Sequence, residues 1–226
     1  MSESTEANPL AIERVVWLRS GAPSPLEATA AELDGARLLV MMHGLGASEH
    51  DLAPIAPLLQ PGHIVAALGA PIPWGNWGGW AWFPLGAPGD PDPAVTLPAV
   101  NGVLTWLDTL PATPATIDLL GFSQGGAMAT QLLRIAPDRF RSATVLSGFS
   151  LGGDQPGDAT LRAQRPPVFW GWDAADPVIP PAAFARTGAW LKEHATLTER
   201  RYPGIGHGIS REEIEDVDAF LAALSD

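Results

Sequence analysis

Seven short runs of the chain are apolar or strand-like, and the intervals between them leave room for helices. They fall at 14–19, 37–42, 63–68, 116–120, 142–147, 167–172 and 196–202. Leu38-Leu39-Val40-Met41-Met42 is apolar throughout, and Ala143-Thr144-Val145-Leu146 nearly so. Such continuity predicts strands buried on both faces, as in a parallel sheet covered by helices. Between them the spacing changes to that of a helix. Leu52, Ile55, Ala56, Leu58 and Leu59 predict a short one, and Val100, Val103, Leu104, Leu107 and Leu110 a second. A third is expected over 124–135, stopped by Pro137, and a fourth around Phe184, Trp190 and Leu191. Ile214, Val217, Phe220, Leu221 and Leu224 mark a last helix, with Ser210 and Glu213 at capping-box spacing ahead of it. Strands alternating with helices, without an internal repeat, predict a doubly wound, mostly parallel α/β fold without a large cap domain. Residues 1–9 read as a flexible tail and 10–226 as one domain. Two stretches, 69–93 and 148–166, carry no clear period and read as long surface connections, which are often functional.

One junction in this pattern carries chemistry. The run Ile117-Asp118-Leu119-Leu120 leads into Gly121-Phe122-Ser123-Gln124-Gly125, and the helical stretch from Ala127 leaves it. A strand, a Gly-x-Ser-x-Gly turn and a helix are what a nucleophile elbow requires. The turn is too tight for side chains at its flanks, and the helix N-terminus adds a partial positive charge beside the hydroxyl. The plain alternative is a glycine-rich turn with an incidental serine.

If Ser123 is a nucleophile it needs a base. His207, within Gly204-Ile205-Gly206-His207-Gly208, follows the final strand. In an α/β sheet that connection lies at the carboxyl ends of the strands, on the same edge as the elbow. The flanking glycines suit a mobile, closely approached loop. A carboxylate must then fix the imidazole, and Asp173 and Asp176 both follow the run 167–172. Asp176 is preferred, because it lies deeper in the loop and completes the order serine, acid, histidine. Asp173 then reads as a solvated or helix-capping residue. Oxyanion donors are expected from the N–H of Gln124 and, in the loop His43-Gly44-Leu45-Gly46 after an early strand, from Leu45. His43 itself reads as a packed, hydrogen-bonded structural residue.

Composition narrows the partners. A net charge of −12, with no basic cluster, argues against nucleic acid and against anionic lipid surfaces. There is no cysteine, so disulfides, thiolate metal sites and a cysteine nucleophile are excluded. No metal or cofactor is expected, since no histidine pair has metal-ligand spacing. The acidic N-terminus lacks the basic and apolar regions of an export signal, and no apolar run approaches a membrane span. The expectation is a cytoplasmic protein that does not insert stably in membranes, acts on a small-molecule ester and is compatible with a homodimer.

HGLGAS at 43–48, GFSQGGAMA at 121–129, DPVIP at 176–180 and GIGHGIS at 204–210 together resemble the phospholipase/carboxylesterase family of α/β-hydrolases. That family includes acyl-protein thioesterases and small bacterial carboxylesterases. The resemblance spans about residues 36–224, with the motifs in the family's order. It implies an α/β-hydrolase fold, a triad of Ser123, Asp176 and His207, and oxyanion donors at Leu45 and Gln124. Where family members often read Trp-Phe-Asp, this chain has Trp82-Phe83-Pro84 in a tryptophan-rich loop. The loop rings either wall an acyl or aryl pocket or pack the loop down; Trp80, Trp82 and Phe83 are the candidates for the wall. Without a charged group to hold a headgroup, such a wall favours neutral short- to medium-chain or aryl esters. A thioesterase or lysophospholipase is the alternative. A dienelactone-type hydrolase and a non-catalytic α/β-hydrolase serving as a binding protein are less favoured readings.

Overall fold

The structure, a computed structural model, describes residues 8–87 and 89–224, so the tail expected over 1–9 lies largely outside the described residues. All seven strand-like runs enter one sheet. Its strands are β1 (Val15–Arg19), β2 (Arg37–Met42), β3 (His63–Leu68), β6 (Thr116–Phe122), β7 (Ser142–Leu146), β8 (Pro167–Trp172) and β9 (Thr196–Arg201). Two further strands, β4 (Ile72–Trp74) and β5 (Gly79–Ala81), pair as a separate hairpin. The order across the main sheet is β1-β3-β2-β6-β7-β8-β9. Every neighbouring pair is parallel except β1 with β3.

The period of two along each strand divides the core. Leu38, Val40 and Met42 of β2, with Ile64, Ala66 and Leu68 of β3, face one side of the sheet. Leu39, Met41, Val65 and Ala67 face the other. The first side is covered by α2 (Leu97–Asp108), α3 (Gln124–Ile135), α4 (Asp158–Gln164) and α5 (Pro181–His194). The second is covered by a 3-10 turn over Ala53–Leu58 and by α6 (Arg211–Ala222). A short α1 (Ala30–Leu33) precedes β2. Burial of both faces is the reason the inner strands β2, β3 and β7 read as nearly continuous apolar runs, whereas the edge strand β9 is partly exposed and polar. No helix among the described residues is long and apolar enough to cross a membrane.

One charge interrupts the apolar strand β6. Burial alone would raise the pKa of Asp118, but the His63 ring, 3.5 Å from its Oδ2, and hydrogen bonds from Arg141 and Ser142 outweigh it and hold the carboxyl below its ordinary range. That cluster lies toward the end of β6 where the strand begins, away from the turn into α3.

Both irregular stretches are ordered by contacts distant in sequence. In 148–166, where a connection is expected, α4 forms. Asp158 at its start accepts from Arg134 Nε at 2.8 Å and from Arg134 Nη2 at 2.6 Å. The same guanidinium donates to the carbonyls of Leu151 and Gly153. In 69–93, the β4–β5 hairpin lies on the loop after β2, with Gly46 N–H donating to Trp80 O and Trp80 N–H to Ala47 O. Gly79 meets Gly46 so closely that a Cβ would strike its backbone.

Candidate active site

Ser123 occupies the turn from β6 into α3 with φ 54° and ψ −115°. This positive φ is costly for a residue with a side chain, on the order of 1–3 kcal/mol. Its surroundings impose it. The Ser123 N–H donates to Leu146 O, and Ala127 N–H donates to Ser123 O to begin α3. The flanking glycines are sterically required: a Cβ on Gly121 would strike Gly125 O, and one on Gly125 would strike Met42 O. The turn can be this sharp only because both positions lack side chains, as the sequence pattern predicts.

The histidine and acid arrive from two loops at the carboxyl ends of β8 and β9. Ser123 Oγ stands 2.9 Å from His207 Nε2, and His207 Nδ1 stands 2.7 Å from Asp176 Oδ2. A neutral ring donating from Nδ1 to the carboxylate leaves Nε2 free to accept the serine proton. The Asp176 side chain is fully buried, and its Oδ1 accepts from the N–H groups of Val178 and Ile179 at 2.7 and 3.0 Å. The Phe122 ring packs against the imidazole at 5.1 Å between centroids. All three candidates therefore lie on one hydrogen-bonded line.

Asp173 does not reach the imidazole, and it is neither solvated nor a helix cap. At 2% exposure, it accepts from Ala175 N–H on one oxygen and from Gly204 and Gly206 N–H on the other. These backbone donors, Ala175 first, hold its carboxyl below the usual range. The glycine loop expected to be mobile is thus tethered on both sides of Ile205.

Leu45 and Gln124 line the cleft with Ser123. The Gln124 side chain also braces the tryptophan-rich loop. Its Oε1 accepts from Trp82 N–H at 2.8 Å and its Nε2 donates to Phe83 O at 2.9 Å. His43 is structural, as its sequence context predicts. Its Nε2 accepts from Ala70 N–H, its Nδ1 lies 2.7 Å from Gly44 O, and burial lowers its pKa.

The cleft over Ser123 has a volume of about 620 Å³. Phe83, Leu85, Phe122, Phe149, Val178 and Ile179 form most of its apolar wall, and Asp51 and His207 are its only ionisable members among the described residues. Of the three aromatic residues expected there, only Phe83 lines it. Trp82 is fully buried, with its indole N–H bonded to His43 O. Trp80 lies beneath the Arg14 guanidinium, 3.3 Å from the ring centroid. Trp82 is tied to the loop after β2 by its indole bond, and Trp80 by the pairing of its own backbone N–H and carbonyl with Ala47 and Gly46. Val178 and Ile179 are not expected in the wall from sequence, although the DPVIP motif that holds them is a usable signal. Phe149 and Leu85 lie in the two irregular stretches and carry none.

Behind this site, Glu213 N–H donates to Ser210 Oγ at 3.0 Å, which is half of the expected capping box. The Glu213 carboxylate instead packs over Gly171, where a Cβ would strike it. Neither of its oxygens has a hydrogen-bonding partner among the described residues. Burial, tempered by the nearby Ser210 N–H and reinforced by Asp216, pushes its pKa from 4.5 up to about 7. The folded state therefore favours the protonated form. Its contribution to stability is full below pH 4.5, declines as pH rises toward 7 and is lost above that. The interval corresponds to a loss on the order of 3 kcal/mol. Glu213→Gln is expected to flatten this decline and to be the more stable protein above pH 7, as read by urea unfolding at several pH values.

Comparisons with known proteins identify the family and the fold. The family model described as Phospholipase/Carboxylesterase matches residues 26–225. A probable carboxylesterase of Oryza sativa subsp. japonica is 27% identical over 219 residues, covering 88% of this chain and 81% of that protein. Acyl-protein thioesterase 1 of Saccharomyces cerevisiae is 24% identical over 225 residues, covering 85% and 95%. Among solved structures, the Bacillus cereus carboxylesterase shares the fold with a TM-score of 0.74 at 18% identity, covering 93% of this chain and 94% of that one. The protein belongs to the phospholipase/carboxylesterase family, serine hydrolases of carboxylic esters and thioesters with the α/β-hydrolase fold.

Proposed function

We propose that residues 10–226 act as one catalytic unit that hydrolyses neutral short- to medium-chain or aryl carboxylic esters through an acyl-enzyme on Ser123. The observation that carries this reading is the line Ser123–His207–Asp176, with contacts of 2.9 and 2.7 Å, opening into an apolar cleft. His207 Nε2 takes the Ser123 proton as Oγ bonds to the ester carbonyl carbon. The N–H groups of Leu45 and Gln124 receive the oxyanion, each such donor contributing about 2.7–4 kcal/mol. Collapse breaks the bond to the alkoxy oxygen, which leaves with the proton held on His207. Water then gives a proton to Nε2 and attacks the acyl carbon, and collapse returns the proton to Ser123 Oγ and releases the acid.

The cleft lining favours neutral substrates. It is mostly apolar and includes the carboxylate of Asp51, and the chain carries a net charge of −12, so an anionic headgroup is repelled both locally and at long range. A thioester would enter the same acyl-enzyme and differ only in its leaving group. The test is kcat/KM across p-nitrophenyl esters of graded acyl length, their thioester counterparts and anionic lysophospholipids. A clear preference for the lysophospholipids overturns this reading.

The same panel gives a prediction for Leu85, which lines the cleft yet is 56% exposed. Leu85→Ala is expected to leave stability unchanged and acetate hydrolysis intact. For medium-chain esters it should lower kcat/KM about three- to tenfold, the scale of one partly buried leucine contact.

A further inference from the structure

We propose that Asp173 is a positioning residue that sets the distance between His207 and Asp176 by tethering the loop of one to the turn of the other. This rests on the acyl-transfer reading of Ser123, His207 and Asp176. One oxygen of Asp173 accepts from Ala175 N–H at 2.9 Å, and Ala175 is the residue immediately before Asp176. Its other oxygen accepts from Gly206 N–H at 2.9 Å and Gly204 N–H at 2.8 Å, and Gly206 is the residue immediately before His207. A single carboxylate thus grips the chain one residue ahead of each of the two groups whose hydrogen bond orients the imidazole. Asp176 N–H also donates to Asp173 O at 3.2 Å, which closes the turn around it.

The glycines make the grip possible. Gly204 and Gly206 have φ of +92° and +60°, a region that favours glycine. Alternating left-handed residues turn both N–H groups to one side, forming a concave anion site of backbone donors. The anion filling it comes from within the chain. Asp173 is buried and bonds only to backbone among the described residues, so it moves no proton and acts solely through the placement of its neighbours.

Asparagine at 173 has one acceptor oxygen. Its amide nitrogen must face either Ala175 N–H or the two glycine N–H groups, so one side of the tether is lost whichever way it turns. Substrate binding in the cleft does not involve these bonds. Asp173→Asn is therefore expected to lower kcat by about 10- to 100-fold, the scale of a misplacement near 1 Å, while KM changes less than about twofold. In the proton NMR spectrum, the low-field resonance of His207 Nδ1–H should broaden or move upfield. Gly204→Ala is the second variant, because a Cβ there meets nothing within 4 Å and only the backbone conformation resists it. It should lower kcat in the same direction by a smaller factor, and it decides the matter if Asp173→Asn does not fold.

Ser123→Ala and Asp176→Asn serve as controls. If either retains near-normal turnover, the acyl-transfer reading fails and this proposal with it. If both are inactive, wild-type kcat and an unchanged Nδ1–H resonance in Asp173→Asn overturn the positioning role alone. In Gly204→Ala, they do so where Asp173→Asn is unfolded. A change confined to KM overturns it as well.

Discussion

Replacing Ser123 with alanine is expected to lower ester turnover by about 10⁶-fold, the scale of nucleophile removal in other serine hydrolases, or about 8 kcal/mol of transition-state stabilisation. The fold should survive. The hydroxyl fills no core space, and the bonds that impose the turn, Ser123 N–H to Leu146 O and Ala127 N–H to Ser123 O, are backbone bonds that alanine keeps. Alanine also inherits the positive φ of 54°, so backbone strain is carried over unchanged. Turnover of a p-nitrophenyl ester, labelling by a fluorophosphonate probe and the urea midpoint together check this. The variant should lose the first two and keep the third. Near-normal hydrolysis by a folded Ser123→Ala protein removes Ser123 from the chemistry.

The second large effect is expected at Asp176. In Asp176→Asn, one position accepts two N–H bonds, from Val178 and Ile179, and the other faces His207 Nδ1. The amide oxygen satisfies both backbone donors only if the NH₂ turns toward the imidazole. Nδ1 must then accept, the ring proton moves to Nε2, and Nε2 can no longer take the proton of Ser123. Holding the wrong tautomer costs about 10⁴-fold in turnover in a related triad. The loss should lie in kcat and exceed that of Asp173→Asn by at least about tenfold, since Asp173 touches neither ring nor substrate. A reversed ranking of the two asparagine variants would transfer the acid's role to Asp173.

The two aspartates show where sequence reasoning stops. Chain order and loop position favour Asp176, and its carboxylate is the one beside His207. What Asp173 does instead depends on Gly204 and Gly206, some thirty residues later. The glycines are visible in the sequence, but the direction in which their N–H groups turn is not. Glu213 repeats the lesson: its spacing from Ser210 gives the cap, while the path of its carboxylate follows from the missing side chain at Gly171 on β8.

By itself the sequence determined the central strands such as β2 and β3, because a strand buried on both faces is almost continuously apolar and so declares itself in a few residues, whereas the short β4 and β5 carry no such run. It also determined the elbow, since a turn between Gly121 and Gly125 that tolerates no Cβ leaves a sterically enforced pattern. Tertiary structure decided the rest. The order β1-β3-β2-β6-β7-β8-β9 follows from which faces meet, and local periodicity does not carry that. The 148–166 stretch acquires α4 through Arg134, a buried cation whose partners lie up to 24 residues away. The tryptophan-rich loop was ambiguous for the same reason. A ring in a Gly/Pro-rich segment buries equally well in a cleft wall or against the scaffold. The bonds of Trp82 to His43 O and Gln124 Oε1, and the Arg14 guanidinium over Trp80, drew those two rings to the scaffold and left Phe83 to the cleft.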